Sequence, residues 1–136
     1  MQFNSNDYRG IKKIVSDSGM NEVLLRMNVN AEGYFHAANI GSTFNFKLTQ
    51  FMVAFDDENL YVIDLGTTGL NIQNIERIRF SDILSITCKS QSIGVAFVLT
   101  IKTQDGKKIE LLANKKLMPI NRQKDSIEIL VAKFSR

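Results

Sequence analysis

Phe51-Met52-Val53-Ala54-Phe55-Asp56-Asp57-Glu58-Asn59-Leu60-Tyr61-Val62-Ile63-Asp64-Leu65 is two apolar runs around a polar tip. Each run is too short for an ordinary helix. Both are rich in the aromatic and β-branched residues that pack on a pleated surface. Asp56, Asp57, Glu58 and Asn59 supply turn chemistry between them, so the stretch reads as a β-hairpin. Its acids are ordinary turn residues. A calcium loop would need twelve-residue ligand spacing and a closing glutamate, which this tip lacks.

Strand patterns continue on both sides. Upstream, residues 34–40 read as a first strand, and Phe44 and Phe46, alternating with Asn45 and Lys47, extend it or pair with it. Downstream, Gly66-Thr67-Thr68-Gly69 is a turn. No Lys-Ser/Thr pair and no helix follow it, so it is not a phosphate loop. Residues 75–80 space charged side chains between apolar ones, as a strand with one wet face does. After a brief turn at Ser81 and Asp82, residues 83–89 form the next strand, and Ser90-Gln91-Ser92 a loop. Residues 95–103 make a long strand with Phe97, Leu99 and Ile101 on one face. Asp105-Gly106 is a tight hairpin turn, and residues 108–113 return as its partner.

Helices flank the strands. Residues 7–28 read as helical, capped by Asp7 and broken near Ser18-Gly19, with Ile11, Ile14 and Val15 on the face of the first piece. Met20, Val23, Leu24 and Met27 form the stripe of the second piece, which ends near Asn28 and Asn30. That stripe must be covered, either by the domain's own sheet or by a second subunit. After the irregular stretch around Pro119, Ile127, Leu130, Val131 and Phe134 mark an amphipathic helix over about residues 122–135. The expectation is a mainly-β α+β fold: a bent sheet or partly open barrel of about seven antiparallel strands, capped by a C-terminal helix. Residues 1–33 are expected as a helical extension and residues 34–136 as one compact unit.

With 136 residues the chain can bury a core without disulfides or metals. Its one cysteine, Cys88, cannot make an internal disulfide, and nothing asks for an oxidising compartment. Cys88 and the sole histidine, His36, are far apart in sequence. No activated nucleophile, general base or zinc site can be assembled from them, so no enzyme activity, cofactor or metal is expected. Cys88 reads as a packing thiol beside outward-pointing residues. The N-terminus shows no apolar secretory run, and the longest apolar stretch, residues 94–99, is too short to span a bilayer, so the expected location is cytoplasmic. Residues 102–136 carry nine Lys/Arg against four acids, while the rest of the chain is slightly acidic. The pairs Lys107, Lys108 and Lys115, Lys116 are therefore candidate interaction residues beside Met20, Val23, Leu24 and Met27. No helix combines a dense basic face with a polar reading surface, so no specific nucleic-acid partner is expected.

Three stretches carry a family resemblance: residues 51–62, then Ile78-Arg79-Phe80-Ser81-Asp82-Ile83-Leu84-Ser85-Ile86, then Leu99-Thr100-Ile101-Lys102-Thr103-Gln104-Asp105-Gly106-Lys107-Lys108-Ile109. From about residue 34 to 136 the chain resembles the pleckstrin-homology-like superfold in its bacterial and GRAM-like versions. The resemblance implies a binding scaffold with no shared chemistry. Lipid-binding members place several Lys/Arg in and beside the loop after the first strand. Here residues 41–50 offer only Lys47, so no headgroup-contact residue carries over. Some bacterial relatives look like assembly modules that form rings or larger homo-oligomers. The expected function is thus a non-catalytic module for protein–protein or self-association. The alternatives are a small-molecule-binding or enzymatic barrel using the open end of the sheet, and a peripheral module with at most weak anionic membrane association.

Overall fold

The structure, a computed structural model, describes residues 14–42, 49–69, 71–90 and 95–134. Asp7, Ile11, Phe44, Phe46, Lys47, Gln91 and Ser92 lie outside the described residues, so the first helical piece and the strand extension do too. Seven antiparallel strands are β1 (Gly33–Ser42), β2 (Gln50–Phe55), β3 (Asn59–Asp64), β4 (Asn74–Arg79), β5 (Ile83–Ser90), β6 (Ala96–Thr103) and β7 (Lys108–Asn114). Helix α1 (Asp17–Arg26) precedes them and α2 (Gln123–Phe134) follows. The strands form one open sheet in the order β4-β3-β2-β1-β7-β6-β5, and both helices pack on it. The chain is mainly β in an α+β fold.

The strand order forces the sheet to bend. β4 and β5 lie at opposite edges, six strand spacings or about 29 Å apart if the sheet were flat. Yet only a single 3-10 turn, Phe80–Asp82, joins them. Four residue steps reach about 14 Å at most, so the edges must curl toward each other. β1 supplies the corner. It pairs with β2 over residues 33–38 and with β7 over residues 38–42, with a register shift between Asn39 and Gly41. A bulge of this kind bends a strand and lets it serve two neighbours.

The sheet has two differently covered faces. On the concave side Phe35, Phe51, Val53, Phe55, Leu60, Val62, Leu99, Ile101 and Leu111 form one core, closed by Ile127 and Leu130 of α2. On the convex side of β2–β4 a second core joins Met52, Ala54, Tyr61, Ile63 and Ile75 to Met20, Val23, Leu24 and Met27 of α1. Strands β2 and β3 are therefore buried on both faces, which is why their sequences are unbroken apolar runs. β6 and β7 keep one wet face, and their burial alternates.

Several local expectations change. Ser18 and Gly19 lie in the first turn of α1, so they do not break the helix. The break falls before Asp17, where Ser16 is the N-cap and its Oγ accepts the Gly19 N–H at 2.9 Å. Ile14 is buried ahead of the helix. Asn28, at φ 56°, takes the left-handed conformation that ends helices. β4 does not have one dry and one wet face. Ile75 and Ile78 are three residues apart and enter opposite cores, which places Glu76 on the concave side with Ile78.

Candidate functional site: the β5 edge and the groove beside it

The expected interaction residues do not share one surface. Met20, Val23, Leu24 and Met27 are buried at 5% exposure or less against the chain's own sheet, so none is free to meet a partner. The apolar stripe of α1 found the nearest apolar face, which is the outer side of β2 and β3. The lysine pairs sit at opposite ends of β7, about 20 Å apart by strand rise. Lys108 pairs with Glu110 at 3.2 Å, and Lys115 lies 4.8 Å over the Phe97 ring.

His36 and Cys88 face opposite sides of the sheet. His36 lies across from Met52, on the convex side. Gln50 donates through Nε2 to the Thr67 carbonyl, so its oxygen faces His36, and His36 Nε2–H donates to it at 2.9 Å. Burial pushes the His36 pKa below 6.5. No carboxylate or nucleophile bonds the ring. Cys88 lies across from Leu99 and points to the concave core, contrary to the outward setting expected of it. Burial raises its thiol pKa above the usual value, which disfavours the reactive thiolate. Among the described residues no three His, Cys, Asp or Glu stand close enough to hold a metal ion, and no helix is long and apolar enough to cross a membrane.

Two concavities border the strands that end the sheet. One, about 280 Å³, lies along the seam between β4 and the β6–β7 turn and is lined by Glu76, Arg77, Asp82, Thr103, Asp105 and Lys107. Its polar groups largely serve the turn itself. Thr103 Oγ1 bonds Asp105 and also accepts the Lys107 N–H at 3.1 Å. The Glu76 carboxyl is raised above its ordinary value by burial first, and Asp105 adds to the shift while Lys107 opposes it.

The second concavity, about 360 Å³, is an apolar groove between β5–β6 and α2. Cys88, Phe97, Ile127, Val131 and Ala132 line it, with Glu128 at the rim. It exists because α2 leans toward β1. Gln123, 2% exposed, fixes that lean by a double bond to one β1 residue: its Oε1 accepts the His36 N–H at 2.9 Å and its Nε2 donates to the His36 carbonyl at 2.7 Å. This satisfies β1 on the edge that β7 does not reach. At the other end Phe134 packs edge-on to Phe80 at 5.3 Å, and Lys133 reaches Glu32 at 2.8 Å.

The groove adjoins the outer edge of β5, and the two sheet edges are guarded differently. β4 reads Asn-Ile-Glu-Arg-Ile-Arg, with Glu76, Arg77 and Arg79 along it. β5 reads Ile-Leu-Ser-Ile-Thr-Cys-Lys-Ser, where Lys89 is the sole charge and Leu84 is 61% exposed. Charges on an edge strand discourage pairing with another chain, and β5 nearly lacks them.

No family model matches the chain, and no curated protein does. Among solved structures, the C-terminal domain of an unknown protein from Leishmania infantum has a similar fold. Its TM-score is 0.54 at 13% identity, over 87% of this chain and 96% of that one. At such low identity the likeness speaks for the fold alone.

Proposed function

We propose that the chain is a non-catalytic module of the pleckstrin-homology-like kind that associates with a second copy of itself along β5. The carrying observation is the unguarded β5 edge beside an apolar groove. Support for the family reading comes from its three quoted stretches, which occupy the β2–β3 hairpin, the β4–β5 corner and the β6–β7 hairpin. An unpaired strand edge offers a row of backbone donors and acceptors, and an added strand satisfies them.

The β5 sequence suits a copy of itself. In antiparallel pairing about a two-fold axis at Ile86, Lys89 lies across from Ile83, so no like charges meet. The same register sets the exposed Leu84 of the second copy across from Cys88, at the mouth of the groove. The space behind the groove is filled by Phe35, Phe51, Phe55 and Leu99, all fully buried, which argues against a small-molecule cavity within the sheet.

Light scattering over a concentration series tests the proposal. The expected result is a mass rising from 15.4 kDa toward that of a dimer, and a return to monomer on Leu84→Lys. Leu84 is exposed, so this substitution leaves the fold intact. A monomer at every concentration defeats the self-association reading. A dimer indifferent to Leu84→Lys moves the interface away from β5.

A further inference from the structure

The segment between β7 and α2 holds the most exposed large apolar side chain among the described residues, Met118 at 96%. It is not a loose loop tip. The Ile120 N–H donates to the Leu117 carbonyl at 2.9 Å, which closes a turn with Met118 and Pro119 at its apex. The base of the turn is fixed. Ile120 is buried at 2% and Leu117 packs on the convex core. The Pro119 carbonyl accepts the Asp17 N–H at 2.7 Å, and the Asn121 N–H donates to the Asp17 carboxylate at 2.9 Å. A side chain presented to water by so well anchored a turn is held out by the backbone.

The surroundings of Met118 are cationic. Residues 115–124 contain Lys115, Lys116, Arg122 and Lys124 and no acid. Lys116, Arg122 and Lys124 are exposed. The nearest acids are Asp125, 3.6 Å from Arg122 in an open pair, and Asp17, whose carboxylate serves Asn121 and Tyr34. The Lys115 N–H donates to the Val95 carbonyl at 3.0 Å, which brings a second exposed apolar residue, Val95 at 57%, to the same rim.

We infer that this rim is a docking surface for an anionic lipid bilayer: Met118 enters the interface while Lys116, Arg122 and Lys124 lie against the headgroups. Charge complementarity selects the occupant, because anionic leaflets attract clustered cations and an apolar tip gains by leaving water. A soluble polyanion would use the cations and leave Met118 in water. The surface shares no residue with the β5 edge and stands or falls separately from it.

The chain has no tryptophan, so Met118→Trp creates a single emitting reporter. Gln104→Trp, in the turn at the far end of β7, is the control. Vesicles of phosphatidylcholine with and without phosphatidylserine are the probes, at physiological salt. The expected result is a blue shift of the residue-118 emission with phosphatidylserine vesicles only, and none from residue 104. In co-sedimentation of the otherwise native chain, Met118→Asp should weaken binding about tenfold, and Lys116→Glu or Lys124→Glu at least about fivefold. Failure to bind phosphatidylserine vesicles overturns the inference. So does equal binding to phosphatidylcholine alone, or binding without a shift at residue 118.

Discussion

Gln123 and His36 set the smallest scale at which this molecule is organised. One amide side chain takes the place of a missing strand and ties α2 to the unpaired part of β1. The imidazole attached to that backbone is desolvated, and its folded pKa lies below the 6.5 of a free histidine. The direction of the resulting pH dependence follows from linkage. As pH falls below about 6.5 the unfolded chain binds a proton that the folded chain refuses, so stability drops. The loss runs down to the folded pKa and then levels off. We expect urea unfolding of the native chain to weaken between about pH 7 and pH 5 more than that of His36→Gln, in which this one titration is absent. Carboxylates common to both proteins cancel in the difference. Equal pH profiles for the two would show that His36 is as well solvated folded as unfolded.

At the scale of elements, two helices cover two faces of one bent sheet. Leu130 and Val23 are both fully buried, one in each core. Leu130→Asp or Val23→Asp sets an unpaired charge among apolar side chains and should cost several kcal/mol, about 3–5 by comparison with other buried unpaired charges. Thermal or urea melting checks this, and a Val23→Asp variant that melts unchanged would mean that α1 is a detachable appendage. The C-terminal helix was legible because its apolar positions recur at helical spacing from Ile127 to Phe134. The hairpins were legible because their turn chemistry is local, as at Asp105-Gly106, where Gly106 takes φ 89°. The seat of α1 was harder to read, although a signal existed. Unbroken apolar runs in an antiparallel β2–β3 hairpin demand cover on both faces, and Met20 to Met27 is the cover nearest in sequence. The candidate site was less legible still. Which strands end the sheet depends on the β1–β7 pairing of distant segments, so no local pattern marks β5 as an edge. In Leu117-Met118-Pro119-Ile120 all three apolar side chains beside the proline look alike in sequence, and only the fold turns Met118 outward.

For the whole molecule, the decisive feature is that β4 and β5 are neighbours in sequence and strangers in the sheet. Strands β1 to β4 form one meander and β5 to β7 another, each built from consecutive hairpins. Among the described strands, the β1–β7 ladder alone joins the two meanders. It pairs Ala38 with Leu112 and Asn39 with Leu111 across some seventy residues of chain. Hairpins close on local contacts in microseconds, whereas a ladder between distant segments must wait for a large loop to close. The order of assembly is thereby written into the topology: two meanders first, their union last, with the concave core completed only at that step. We expect Leu111→Ala to slow refolding in stopped-flow mixing more than Val62→Ala, which acts within the first meander and should chiefly speed unfolding. The reverse ranking would mean that the two halves meet before either is formed. Between those events the β1 corner stands unpaired, so the same bend that shapes the finished molecule fixes the moment at which a growing chain is most exposed to its neighbours.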